Sequence, residues 1–427
     1  MKKIELLLFI FLCYISIAVA QNTTRSIAEC QQMAQENYPL VKRYGLIEQT
    51  VDFTVKNIEK GWLPQINASV QATLQSTVVT LPDALEQMLK SKGTDVRGVS
   101  HFQYRAGVDI QQMVYDGGRI NAQQRIAKEQ SEAQKAVNDV QLYALRARVN
   151  DLCFGVLLID RRLLINEEMQ RTIAANHDKL LKLLKGGVAM QCDVDALAAE
   201  LATARQQHSD MEAQRTTFLK VLSLFIGQDV SAIVTPRPEK QNNNGVRPEL
   251  RMFDSQLSLA YAKEDALKAS LIPQVGLFAQ GYYGYPGMDM FHDMMHRNPT
   301  LNGIIGVRAS WNISAFYTNK NDRAKLSLER QTIENDREVF LFNQRLQRET
   351  EDESIVRYQK LMEEDDEICR LRRSVRQAAE AKLESGTIDA STLISEIARE
   401  TQAGINRSLH EVEMMQHQYK RQIIIGK

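Results

Sequence analysis

Residues 38–65, YPLVKRYGLIEQTVDFTVKNIEKGWLPQ, are answered 209 positions later by residues 247–274, RPELRMFDSQLSLAYAKEDALKASLIPQ. Pro39 aligns with Pro248, and Pro64-Gln65 aligns with Pro273-Gln274 at that single offset. Proline suits the first turn of a helix and breaks its interior, so each copy reads as a helix of about six turns that stops at its second proline. Both copies also lead into the same kind of segment. A helix-to-strand junction that occurs twice implies a duplicated architecture.

After Pro64, Ile66, Ala68, Val70, Ala72 and Leu74 alternate with Gln65, Asn67, Ser69, Gln71 and Thr73. Period two with one apolar and one polar face is the mark of a strand. A polar loop over 76–101 separates it from a second strand, about 102–115, in which Tyr104, Ala106, Val108 and Ile110 oppose Arg105, Asp109 and Gln111. Asp116-Gly117-Gly118 ends that strand with turn chemistry, because glycine supplies the positive φ of a strand-to-helix change. From Arg119 to Lys185 there is no proline and one glycine, Gly155, so a single helix of roughly 100 Å is expected. Leu145, Val149, Leu152, Val156, Ile159 and Leu163 form a heptad seam on it. Gly186-Gly187 breaks the helix. A return helix, about 190–227, carries Val194, Leu197, Leu201, Ala204, His208, Met211, Arg215, Phe218, Leu222 and Phe225 at the same spacing, an antiparallel coiled-coil hairpin.

Pro236, Pro238 and Asn242-Asn243-Asn244-Gly245 then read as linker, and the series starts again. Val275, Leu277, Ala279, Gly281 and Tyr283 alternate with Gln274, Gly276, Phe278, Gln280 and Tyr282. Ile305, Val307, Ala309, Trp311 and Ile313 alternate with Arg308, Ser310, Asn312 and Ser314. A second long helix, about 318–384, has a seam through Ile368, Leu371, Val375 and Ala378, breaks at Gly386 and returns over 391–420. Gly107 to Gly187 and Gly306 to Gly386 both span 80 positions, so the halves differ in length only in the strand-to-strand loop.

Four strands of this length fit a bilayer crossing, and their open edges cannot stand in lipid, so the sheet must close with other chains. Two copies would reach eight strands and three would reach twelve. Other features narrow the class. Lys2-Lys3, an apolar run from Leu6 to Val19 and Ala18-Val19-Ala20 before Gln21 read as a secretory signal peptide over 1–20. The 427 residues carry 53 basic and 53 acidic side chains, a balance that offers nothing to nucleic acid. Cys30, Cys153, Cys192 and Cys369 are far apart without CxxC spacing, which indicates neither a zinc site nor a disulfide framework. No P-loop, GxSxG or HExxH is present, so no enzyme and no cofactor is expected. His208 and Arg215 on the seam are read as register-setting residues. Met288 to Pro299, MDMFHDMMHRNP, combines thioethers with His292 and His296, which suit a soft metal, against the plainer reading of an adaptable surface loop; no metal site is assigned. Tyr282, Tyr283, Tyr285 and Trp311 are candidates for an aromatic girdle or for ordinary strand packing.

The duplicated Pro-to-Pro-Gln junction, Val114-Tyr115-Asp116-Gly117-Gly118 and the turns at Gly187 and Gly386 resemble the TolC family of outer-membrane efflux proteins over essentially all of the chain beyond residue 20. The resemblance implies an α+β membrane protein: duplicated strand-strand-long helical hairpin units that form, in a homotrimer, a twelve-stranded β-barrel continued into an α-helical coiled-coil tunnel. It implies a passive exit duct of a tripartite efflux or type I secretion system, in the outer membrane with a large periplasmic portion. Its partners would be outer-membrane lipid, a periplasmic adaptor and an inner-membrane pump. Adaptor contact and gating would fall at the hairpin turns, Gly186, Gly187 and Val188 and Ser385, Gly386, Thr387 and Ile388. The family's acidic constriction would fall near the second turn, where Gln377 holds the place of one expected Asp and Glu380, Glu384 and Asp389 lie close by, and Pro64, Pro273, Asp116, Gly117 and Gly118 are the helix-strand junctions.

The expected division is a signal peptide 1–20, periplasmic helices 21–63, strand pair 64–116, long hairpin 117–227, equatorial linker 228–246, second periplasmic helix 247–272, second strand pair 273–317, second hairpin 318–420 and a tail 421–427. The rival from another class is a periplasmic coiled-coil adaptor or scaffold, which needs no duplicated quartet of strands. A secreted metal-binding protein built on the Met/His loop is a third.

Overall fold

The structure, a computed structural model of one chain, describes residues 24–94, 96, 98–236 and 245–426. The signal segment 1–20, residues 237–244 of the linker and Lys427 of the tail lie outside the described residues. The chain divides into two compact units. One comprises residues 45–135 and 253–335, the other residues up to 44 with 136–252 and 336–427.

The first of these units is built on a four-stranded antiparallel sheet. Its strands are β2 (Gln65–Leu74), β3 (Phe102–Tyr115), β5 (Gln274–Tyr285) and β6 (Thr300–Ser310), in the order β2-β3-β5-β6. Helix α2 (Lys42–Glu59) and a 3₁₀ turn, Lys60–Trp62, precede β2, and α6 (Pro248–Ser270) precedes β5. The strands therefore start right after Pro64 and Pro273, where a helix could not continue. Two expectations need correction. The stretch 76–101 is not all loop: it holds α3 (Asp83–Ser91), whose Leu89 joins Val78 and Leu81 against buried Val96, Val99, Tyr285 and Met294. Nor does β6 extend through Ser314, because Trp311 turns to donate its indole Nε1–H to the Leu271 carbonyl at 2.9 Å and the chain folds into helix α8 (Ala315–Glu384).

The second unit packs long helices. α4 (Arg119–Lys185) and α5 (Gln191–Ile226) run antiparallel: Arg215 pairs with Asp160 at 2.5 Å, and Gln170 reaches the Ala204 carbonyl at 3.5 Å. The polar seam residues thus do hold register, with His208 at 3.7 Å from Glu167. Asn138, Asn150 and Asn176, all buried on α4, add fixed points to other elements, to the Leu40 carbonyl, to Gln31 and to Glu380; Asn150 accepts from Gln31 at 2.5 Å. α8 and α9 (Ala390–Ile424) pair in the same sense through Asp365 with His410, at 2.6 Å, and Glu351 with His417, at 2.5 Å.

Two apolar clusters bind these helices. One gathers Ile173 and Leu180 of α4, Val194 and Leu197 of α5, Ala379 and Leu383 of α8, and Leu393 and Ile397 of α9, so both hairpins share it. The other sets helix α1 (Ile27–Asn37), through Ile27, Cys30 and Ala34, against Val149, Cys153 and Val156 of α4 and Leu222 of α5. Segments 21–63 and 228–246 also carry structure that periodicity did not indicate, since β1 (Thr24–Arg25) pairs in parallel with β4 (Ala232–Ile233). The seam expected on α8 is not buried in this chain: Ile368, Leu371, Val375 and Ala378 are all exposed, because α9 packs on the neighbouring face that carries Tyr358, Ala379 and Leu383.

Gly155 has a packing reason. A Cβ there would stand 2.7 Å from the Phe218 ring of α5. Gly155→Val is expected to destabilise the hairpin by about 1–3 kcal/mol through overpacking, read as a lower midpoint of chemical denaturation; an unchanged midpoint would mean that the Phe218 ring has room to move aside.

Candidate functional site

The register of the sheet decides its chemistry. Ile66 lies opposite Ile110, Ala68 opposite Val108, Val70 opposite Ala106 and Leu74 opposite Phe102. The same rows continue through Tyr104 to Tyr285, Ala106 to Tyr283 and Ile110 to Ala279, and on through Tyr283 to Leu301, Ala279 to Ile305 and Leu277 to Val307. One face is consequently apolar across all four strands. The other carries Asn67 opposite Asp109 and Gln71 opposite Arg105, and the Arg105 guanidinium donates to Gln71 Oε1 at 2.9 and 3.2 Å. Val70 is 86% exposed, Leu301 81% and Ile305 82%. Apart from the Tyr285 end, which Val96, Val99 and Met294 bury, the apolar face lies largely open among the described residues, and β2 and β6 each pair on one side only.

Of the girdle candidates, Tyr283 lies exposed on the apolar face and Tyr282 sits half-buried on the polar one. Trp311 is anchored edge-on to Phe316 beyond the strand end. Tyr285 is no girdle residue. It is 3% exposed, and its hydroxyl accepts from the Ser100 N–H at 3.1 Å and donates to the Asp293 carbonyl at 2.9 Å.

The junction residues work as caps. Asp116 is buried, and its carboxylate accepts from the N–H of Gly118 at 2.9 Å and of Ile120 at 2.6 Å, closing the start of α4. Gly117, at φ +67°, lies so close to Ile272 that a Cβ would be 2.8 Å from that side chain, so the turn ending the first strand pair seats against the junction that opens the second. A further pairing was not visible in the sequence. The Trp62 carbonyl, at the end of the first junction helix, accepts from the Gln112 amide, and the Leu271 carbonyl, 209 positions after Trp62, accepts from Trp311, 199 positions after Gln112. Equivalent places in the two halves make the same cap with unrelated side chains.

Both hairpin turns are Schellman motifs. At the first, the Val188 N–H reaches the Leu183 carbonyl at 2.9 Å and Gly187 reaches Leu184 at 3.0 Å; at the second, Thr387 reaches Lys382 and Gly386 reaches Leu383, each at 3.0 Å. Gly187 at φ +75° and Gly386 at φ +68° take the left-handed position that the motif requires. Gly186 instead sits at the helix end, donating to Lys182 O at 3.1 Å, and Ser385 Oγ meets Thr387 Oγ1 at 3.1 Å. The turns differ at the start of the return helix. Asp389 caps α9 by accepting from the Thr392 N–H at 2.9 Å, and this bonding to Thr392 holds its carboxyl below the usual range; Met190 gives α5 no side-chain cap. Asp193 Oδ1 accepts from the Ala390 N–H at 3.3 Å, linking the hairpins. A groove of about 510 Å³ lies between them, lined by Leu180, Val188, Met190, Leu383 and Ile388 among others.

The residues expected to form an acidic constriction are mostly compensated within the chain. Glu380 pairs with Arg376 at 2.7 Å and accepts from Asn176 at 2.8 Å, and Glu384 pairs with Lys179 at 2.5 Å. Asp389 is occupied as a cap, and Gln377 is exposed. Arg376, which no sequence pattern singled out, bridges Glu380 and Glu400. In the Met/His loop, helix α7 (Met290–Met295) brings the His292 and His296 rings into a stack at 4.6 Å, and among the described residues no group of three or more His, Cys, Asp or Glu is placed to hold a metal ion. No helix of the described residues is long and apolar enough to cross a membrane.

No curated protein sequence matches the chain. Among solved structures, the fold is similar to the Vibrio cholerae outer membrane protein VceC, at 10% identity and a TM-score of 0.66 over 94% of this chain and 96% of that one. It is similar to the Campylobacter jejuni outer membrane channel CmeC, at 11% identity and a TM-score of 0.64 over 94% and 85%. The open state of the Neisseria gonorrhoeae outer membrane channel MtrE matches at 12% identity and a TM-score of 0.63 over 94% and 88%. At such identities these likenesses speak for the fold. The sequence profile described as Outer membrane efflux protein matches residues 17–228, the half that contains the first junction, the first strand pair and the first hairpin. With that profile on a chain folded like these channels, the protein belongs to the outer membrane efflux protein family, with its seat in the outer membrane and a large periplasmic portion.

Proposed function

We propose that three copies of this chain close their four-stranded sheets into a twelve-stranded barrel, continued by the long helices as a tunnel. The assembly serves as the passive exit duct of a tripartite efflux or type I secretion system. The observation that carries this is the sheet register: one face apolar over four strands, the other polar, and both edges unpaired in the chain. Lipid satisfies none of an edge strand's backbone groups, so β2 of one copy must find β6 of another. The exposed apolar side chains of α8, among them Leu328, Val339, Phe342, Leu346, Leu371 and Val375, support the same assembly, since a neighbouring copy would cover them. The polar face, with Asp109, Arg105 and Arg308, would line the aqueous passage. A periplasmic adaptor joined to an inner-membrane pump would supply the energy and meet the turns at Gly187 and Gly386, where hairpin movement gates the duct. A coiled-coil adaptor without a barrel leaves the amphipathic sheet without a role.

Membrane fractionation and native sizing test the assembly: an outer-membrane trimer is expected, and recovery as a soluble monomer would sink the proposal. The two sheet faces can be separated with adjacent residues. Val70→Arg puts a charge on the lipid side, worth about 2–4 kcal/mol against insertion near the bilayer midplane, and is expected to deplete the trimer, whereas Ser69→Arg leaves it intact. Equal yields from the two would remove the assignment of faces. At the turns, Gly187→Val or Gly386→Val forces a branched residue into left-handed backbone at about 1–2 kcal/mol. Export, read as drug tolerance of cells that depend on this chain, is expected to fall with the trimer still present in the membrane; wild-type tolerance would take the turns out of the gating mechanism.

A further inference from the structure

Four free cysteines are described, and two of them touch. Cys30 of α1 and Cys153 of α4 are both 0% exposed in one apolar cluster, with their thiols as neighbours. The helix pair that carries them is in fixed register. Gln31, next to Cys30, donates to Asn150, one turn before Cys153, at 2.5 Å, and Gln35, one turn further along α1, donates to the Leu142 carbonyl at 3.3 Å. Ile27 and Ala34 close the same face of α1 over the cysteines. Sequence distance hid this pair, since 123 positions and the whole first strand pair separate the two residues.

We propose that Cys30 and Cys153 are oxidised to a disulfide during export, a covalent strut that fastens the N-terminal helix to the first long hairpin. The periplasmic portion of the protein folds in an oxidising compartment, where adjacent thiols become disulfides. The oxidant is a disulfide-bonded protein donor of that compartment. Before α1 packs on α4 both thiols are open to the donor, and either can attack first as its thiolate, Cys30 for instance. It displaces one sulfur of the donor disulfide, giving a mixed disulfide and a donor thiol; Cys153, losing its proton, then attacks Cys30 Sγ and expels the donor's second thiol. Two protons and two electrons leave with the donor, now a dithiol, and one S–S bond stays in the chain. With both sulfurs sealed from solvent in the folded protein, the exchange takes place before α1 seats on α4, and the finished bond is out of reach of soluble thiols. A bond that closes so long a loop restricts the unfolded chain and favours the folded one.

The test counts thiols in the full-length protein. Cells are lysed in N-ethylmaleimide, the membrane protein is purified and denatured in the same reagent, and its peptides are weighed with and without prior reduction. Without reductant, Cys192 and Cys369 are expected to carry the label while the Cys30 and Cys153 peptides run as one cross-linked species, lighter by two hydrogens than the sum of the two. Reduction is expected to release both for labelling. Label on the greater part of Cys30 and Cys153 without reductant, or a bridge from either to Cys192 or Cys369, overturns the proposal. A second readout needs no digestion: reductant added with denaturant is expected to lower the unfolding midpoint of the wild type and to leave that of the double variant Cys30→Ala, Cys153→Ala unmoved, and equal behaviour of the two would deny the bond its structural role.

Discussion

A peptide N–H in hydrocarbon has no partner except another peptide, and this single constraint reaches most of the chain. The sheet is apolar on the face that four strands share, yet its outer strands β2 and β6 each leave a row of backbone groups unpaired in the chain. Such a sheet is a fragment by construction. The strand pairs run into helices that carry their own exposed apolar stripe, so that in the proposed trimer closing the sheet and covering α8 would be one assembly step rather than two. The pores of helical membrane proteins solve the backbone problem inside each segment; in the proposed trimer it would be handed to the oligomer.

The two halves match in geometry more than in residue type. Trp62 and Leu271 end their helices with a free carbonyl in the same place, and a side chain from the far end of the adjoining strand pair answers each: an amide from Gln112, an indole from Trp311. Both hairpins end in the same two hydrogen bonds around a left-handed glycine. What the halves keep in common is the satisfaction of particular backbone groups at chain reversals, where an unpaired donor or acceptor costs most. Elsewhere they diverge, most of all in the strand-to-strand loops, one holding α3 and the other the shorter α7.

That distinction explains what could be read from the residues alone. Proline at 64 and 273, the period-two runs and the glycines at 187 and 386 act locally, and local rules placed the strand starts and the helix reversals. The end of β6 is not legible locally, because the apolar alternation runs on through Trp311 and Ile313 while the turn depends on a carbonyl 40 residues away. The α8 seam looked like an internal one because a heptad says that a face is buried without saying against what; within the chain, Ile368, Leu371 and Val375 have no cover. The acidic residues near the second turn looked like free charge because Lys179 and Arg376 come to them only in three dimensions. The cysteine pair was hidden for the same reason.

The two turns share a backbone but not a charge at the entry to the return helix: Asp389 holds an ionised carboxylate before α9, and Met190, in the matching place before α5, holds a thioether. In the proposed trimer of duplicated chains the turns would alternate around a ring with near-sixfold backbone symmetry and threefold electrostatics. A partner that reads shape would find six equal seats there. One that reads charge would find three.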